Sequence, residues 1–230
     1  ISESDNCPLG GMMTISAEIQ NPETLSAGDS FSLSYAACDF GDGVLANGGI
    51  SFRVTSMVGE LNGDNIQVGF DLTITNLEIA QVGDGATIDG DLSMSLNLTP
   101  VASTVSMSGS SLSITSGLET IMMSEFSTTV TADLSVFPES FTLQSSGFLM
   151  SSEFDGEVQF STEIALQGSG EGNPGTGQLR VTGADGANVK VIPLDAQNVR
   201  LELDLDGDNA VDENGTLDMT WQELLQQDAV

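Results

Sequence analysis

Ile66-Gln67-Val68-Gly69-Phe70-Asp71-Leu72-Thr73-Ile74-Thr75 decides the fold class. Apolar residues alternate with small or polar ones, so successive side chains leave opposite sides of an extended chain. This is the pattern of a strand with one buried and one wet face. The phase slips at Asn76-Leu77, where the apolar residues change parity, and a bulge or a strand end is expected there.

Working outward, the same period of two recurs at residues 13–19, 31–35, 50–58, 92–98, 105–114, 134–137, 141–143, 158–166, 179–181, 189–192 and 199–205. Turn chemistry separates the runs: Asn62-Gly63-Asp64, Gly83-Asp84-Gly85, Asp89-Gly90-Asp91, Ala184-Asp185-Gly186 and the glycine-rich stretch 168–177. The expected fold is all-β, an antiparallel meander of a dozen or more strands. So many strands must form a sandwich, curl, or bury their edges against another copy. A short helix is expected over residues 221–227. The glycine-rich stretch divides a main antiparallel domain, 1–170, from a C-terminal hairpin subdomain, 171–230, which either stands apart or packs as one domain with the first.

Charge removes whole classes of function. Against 34 Asp and Glu the chain sets 4 Lys and Arg and no His, for a net charge of −30. Nucleic acid, bound through Lys and Arg, is excluded as a partner. Without His there is no ordinary triad and no usual zinc ligand, and no nucleophile motif is present, so we do not expect an enzyme. No apolar run approaches the ~20 residues of a membrane-spanning helix. Cys7 and Cys38 are an even pair without C-x-x-C spacing and read as one disulfide of a secreted protein, extracellular, at the cell surface or periplasmic.

One segment carries chemistry. After the strand at 199–205, Asp204, Asp206, Asp208 and Asp212 fall at offsets 1, 3, 5 and 9 of a calcium-type loop, with the Ala210 carbonyl at offset 7. Asn209 stands where such loops carry Gly, a substitution that a left-handed backbone tolerates. Gly215 occupies offset 12, so the bidentate Glu is missing; Asp218, Glu223 or water is left to complete the shell. Calcium is the expected cofactor. Asp39 with Asp42, and residues 84–91, are weaker acidic candidates.

The Asp204-Leu205-Asp206-Gly207-Asp208 run, followed by Met219-Thr220-Trp221-Gln222-Glu223-Leu224, resembles the endings of uncharacterised secreted or lipoprotein-type β-rich proteins of Gram-negative bacteria. The likeness covers about residues 175–225. It implies export and a cell-surface or periplasmic role, and it assigns no catalytic residue.

These readings lead to a secreted structural protein that self-associates through strand edges into a filament, sheath or coat stabilised by calcium. The alternative is a monomeric periplasmic or surface module enclosing a lipid or other apolar ligand.

Overall fold

The computed structural model describes the chain except residues 42, 61–62, 82–83, 154–155 and 226–230. Asp42, the turn residues Asn62 and Gly83, and positions 226–227 of the expected helix lie outside the described residues. Among the described residues fourteen strands follow one another: β1 (Ser2–Asn6), β2 (Gly10–Glu18), β3 (Ser30–Gly41), β4 (Val44–Val58), β5 (Ile66–Gln81), β6 (Asp84–Leu98), β7 (Ala102–Ser116), β8 (Glu119–Asp133), β9 (Ser140–Ser151), β10 (Glu157–Ser169), β11 (Thr176–Thr182), β12 (Asn188–Pro193), β13 (Asn198–Asp204) and β14 (Thr216–Thr220). One short helix, α1 (Trp221–Leu225), ends the described chain.

Each strand pairs antiparallel with its chain neighbours, giving a single sheet in the order β1 to β14 that does not close on itself. The meander is therefore one continuous layer and not two hydrogen-bonded sheets. Strands β11 to β14 continue that layer past the glycine-rich stretch.

Register places the apolar residues on one face. Ile15, Leu33, Ile50 and Ile74 are consecutive cross-strand partners on β2 to β5. Beyond Gly90, the row continues through Leu112, Met123, Leu149 and Val158 to β10. The opposite face is a lattice of hydroxyls: Ser2, Ser16, Ser32, Ser51 and Thr73 form one row. Side-chain hydrogen bonds cross it, among them Ser4–Thr14 at 2.8 Å, Ser106–Thr129 at 3.2 Å and Thr115–Thr120 at 3.0 Å.

A line of bulges creases the sheet near mid-strand. Ala37, Asn76 and Glu125 take left-handed φ values of 48°, 43° and 46°. The next residue in each case, Cys38, Leu77 and Phe126, is buried. Each bulge adds one residue, so the apolar side chains keep their face while their parity changes, and the strand bends. Neighbouring strands hold the displaced backbone. Ala37 N donates to Asn47 Oδ1 at 2.7 Å, Asn76 N to Asp89 Oδ2 at 2.8 Å and Ser110 N to Asp91 Oδ2 at 3.0 Å.

Three expectations are corrected. Asp89-Gly90-Asp91 is no turn: it lies inside β6, where both acids latch bulges of adjacent strands. Residues 134–137 are not a strand but part of the connection after β8, which leads into Pro138, a residue without an N–H to donate to a ladder. And β8 itself, unread in the sequence, is one of the long central strands.

The expected disulfide is present, joining the turn after β1 to β3 across a Cα–Cα distance of 5.4 Å. Ala46, Met13 and Tyr35 pack around it in a buried apolar cluster. Closing a loop of sequence separation 31 stabilises the chain by about 3–4 kcal/mol on the chain-entropy model. Nearby, Asp29 is fully buried and its carboxylate accepts the N–H groups of Gln20 and Ser26, each at 2.8 Å, closing the 20–29 loop on itself, while Val54 N donates to Asp29 O at 2.8 Å and ties the loop to the sheet.

Little else is covered. The accessible surface is 13983 Å². A compact protein of this mass exposes about 9,900 Å². A single layer leaves its apolar face wet, and Ile15, Ile79, Ile114 and Ile121 remain between 41% and 51% exposed.

The crease makes two predictions. At Gly90 φ is +149°, and an added Cβ would lie 2.7 Å from Leu112 Cα. Gly90→Val should therefore cost roughly 3–5 kcal/mol in urea denaturation. Gly117 (φ +60°) sits in an open hairpin turn with nothing within 4 Å of a new Cβ, so Gly117→Ala should cost only about 1 kcal/mol. Equal costs would remove the crease as the reason. The second prediction concerns acid. Hydrogen bonds from the Ser110 hydroxyl and N–H hold the Asp91 carboxyl below its ordinary value of 3.8, against a smaller opposing effect of burial. A carboxyl lowered by folding stabilises above its unfolded value and loses that contribution as pH falls through the folded one. The Tm gap between wild type and Asp91→Asn should be widest near neutrality and narrow in acid; a gap independent of pH would refute the latch.

Candidate cation site

Asn188, at the start of β12, faces Asp204, at the end of β13, as its cross-strand partner. Two connections therefore lie side by side at one end of the sheet: the tight turn Ala184–Gly186 and the acidic loop that leads into β14. Their backbones approach closely. A Cβ on Gly207 would lie 3.0 Å from Asp185 O and 3.1 Å from Gly186 C, and Gly207 has φ +74°.

The loop is organised by carboxylates accepting backbone N–H groups. Asp204, 4% exposed, accepts Gly207 N at 2.8 Å on Oδ1, and Asn209 N at 2.9 Å and Asn188 Nδ2 at 2.7 Å on Oδ2. Asp206 Oδ1 accepts Asp208 N at 3.2 Å, and Asp208 Oδ1 accepts Ala210 N at 2.7 Å. Asp212 closes the loop from the far side, its Oδ2 accepting Leu205 N at 2.7 Å. Asn209 has the left-handed φ of 68° that the substitution for Gly requires.

Three of the four expected carboxylates converge. Asp204, Asp206 and Asp208 each bring an oxygen within 4.8 Å of the others; Asp212 is not part of that group. Ala210 enters the geometry through its N–H. Burial opposes ionisation of Asp204, but hydrogen bonds from the Asn188 amide and the N–H groups of Asn209, Gly207 and Asp208 outweigh it and hold the carboxyl below its ordinary value of 3.8. An all-oxygen donor set with three like charges this close suits a hard cation, which offsets their repulsion.

The two residues considered for completing the shell serve elsewhere. Asp218 forms a two-pronged pair with Arg200, Nε to Oδ1 at 2.7 Å and Nη2 to Oδ2 at 2.9 Å, and this pairing lowers its carboxyl. Glu223 Oε2 accepts Thr220 N at 2.7 Å while Thr220 Oγ1 accepts Glu223 N at 3.1 Å, a capping box at the start of α1. Of the weaker acidic candidates, Asp39 Oδ1 accepts Gly41 N at 2.9 Å, and Asp89 and Asp91 hold bulges.

Asn188 was not legible from the loop spacing. It stands 16 residues before Asp204, and only the register of β12 on β13 brings them together. Its Nδ2 also donates to Gly186 O at 3.2 Å, joining the two turns. Arg180 Nη1 reaches Asn209 Oδ1 at 3.3 Å, while Arg180 Nε lies 2.6 Å from Glu163 Oε1.

Neither a family model, nor a curated protein, nor a solved structure matches this chain. Among the described residues no helix is long and apolar enough to cross a membrane.

Asp204 accepts three hydrogen bonds from protein N–H groups, whereas Asp206 and Asp208 each accept one local N–H. In excess chelator, Asp204→Ala should lower the Tm, and Asp208→Ala should lower it less. The reverse order would show that Asp204 does not hold the loop.

Proposed function

We propose that this chain is a structural subunit of an extracellular or cell-surface assembly, joined through its free sheet edges into a filament, sheath or coat. The observation that carries the reading is the open sheet whose two edges are its first and last strands, β1 and β14. Backbone N–H and C=O groups on such edges accept another strand. Pairing β14 of one copy with β1 of the next is heterologous and repeats without closing unless the rotation makes a ring.

Calcium at Asp204, Asp206 and Asp208 is the proposed assembly factor, because their loop is the connection that delivers edge strand β14. Charge supports a requirement for one. Edge β1 carries Glu3 and Asp5 in a chain of net charge −30, while Asp218 on β14 is already matched by Arg200. Repulsion between such edges calls for screening or a bridging divalent ion. The Cys7–Cys38 disulfide supports an oxidising compartment outside the cytosol.

The carrier reading has less support. An apolar depression lined by Ile15, Phe31, Ser32, Leu33, Ile50 and Phe52 is about 250 Å³. Ligand clefts commonly measure ~300–1,000 Å³ and enclose most of their occupant.

Light scattering and negative-stain imaging test the proposal, with calcium and then with excess chelator. Ordered polymers that shorten or dissolve on chelation are expected. Polymers indifferent to chelator would remove calcium from the assembly. Particles that never grow beyond a small closed species in either condition would refute edge assembly.

A further inference from the structure

We propose that the apolar face of the sheet is covered by the same face of a second copy, so that two single-layer chains form one two-layer β-sandwich. This association uses a different surface from edge pairing and does not depend on it.

The face is built to exclude water, and among the described residues no second layer covers it. Away from the hairpin ends, its positions on β2 to β10 carry no Asp, Glu, Lys or Arg, although the chain holds 38 such residues. Apolar side chains at its centre and margins, such as Ile15, Val105 and Ile121, are 38–51% exposed. An uncharged apolar surface of this extent on a soluble monomer is far larger than the ~300–600 Å² patches that monomers ordinarily show.

Area decides that the occupant is large. The chain exposes 13983 Å², roughly 4,000 Å² more than a compact protein of its mass. Nine strands about 4.8 Å apart and about 40 Å long present a face of roughly 1,500 Å². Two such faces in contact bury about 3,000 Å², inside the range of obligate homodimers. One or two lipid chains cannot cover so broad a face.

Charge decides that the occupant is another copy. An anionic membrane surface repels a protein of net charge −30. Stacking apolar face on apolar face sends the acids of both copies outward. The sheets then sit about 10 Å apart with the charged side chains beyond them, farther than the ~8 Å Debye length at physiological salt. This arrangement joins two strongly acidic chains without bringing their acids together.

Size-exclusion chromatography with light scattering, in excess chelator and over a wide concentration range, reads the result. Wild type should elute at twice the chain mass of 23.9 kDa. Val105→Glu with Ile121→Glu, two half-exposed positions on either side of the crease, should elute at the single mass with the strand signal in circular dichroism retained. Ser51→Glu with Ser95→Glu, on the hydroxyl face, should remain doubled. If the first pair does not fold, Val105→Thr with Ile121→Thr should raise the dimer Kd at least tenfold. Wild type at the single mass throughout, or a folded Val105/Ile121 variant whose mass and Kd are unchanged, would overturn the proposal. So would saturable uptake of a fluorescent fatty acid by a monomer. The two association modes fail separately: dimers that never polymerise in calcium remove the edge reading, and polymers one sheet thick remove this one.

Discussion

Backbone pairing between consecutive strands is the interaction on which this structure depends. Among the described residues each strand pairs only with its chain neighbours, and the loops and the Cys7–Cys38 disulfide supply the remaining ties. Among the described residues only ten apolar ones are buried. Stability is then a sum of nearest-neighbour hairpin terms, as in repeat proteins, and not the property of one central core. What prevents a flat ribbon is the crease, where Cys38, Leu77 and Phe126 are re-aimed into cover. The bulges need acceptors for their displaced N–H groups, and Asn47, Asp89 and Asp91 supply them. Part of the chain's acidity is therefore structural.

The fold was legible wherever alternation was clean. The 66–75 run gave β5, and its slip at Asn76-Leu77 marked a real bulge inside a longer strand. Alternation misled where it was accidental: Leu134, Val136 and their neighbours have the right parity, but Pro138 follows. It failed where a strand was interrupted twice. In β8 the adjacent Met122 and Met123 and the extra residue at Glu125 break the period, so a long central strand went unread. Asp89-Gly90-Asp91 has the composition of a turn because the crease needs the same things a turn needs, a glycine without a Cβ and carboxylates near free N–H groups. The site was half legible. Offsets within one loop brought out Asp204, Asp206 and Asp208, but Asn188 belongs to the site through strand register, which loop spacing does not encode. Asp218 and Glu223 had the right chemistry and the wrong partners.

Distribution of charge matters more here than its amount. A net charge of −30 spread over both faces would make any association through a face unfavourable. Kept off the inner positions of one face, it leaves that face as a surface on which two copies would meet without bringing carboxylates together. The hydroxyl face carries the charge and stays wet, its Ser and Thr side chains bonding across strands while remaining exposed. A chain with one apolar face and no internal cover has its hydrophobic driving force left over for association, and a compact domain of the same composition would have spent it on folding.

The acidic loop ties the edge to the interior of the sheet. Asp204 ends β13 and is anchored through Asn188 to β12, while Asp212 reaches back to Leu205 on the way to β14. Arg200 on β13 grips Asp218 on β14. Edge strand β14 is only five residues long, and short strands at sheet edges fray readily. Holding Asp206 and Asp208 beside Asp204 concentrates negative charge at the point where the chain turns toward that edge, so an ion bound there relieves the repulsion in the connection on which β14 depends. In this reading calcium need not bridge two subunits to promote assembly. Under the proposed function it would act within one chain, by holding the edge strand in the extended, paired conformation that another strand can join.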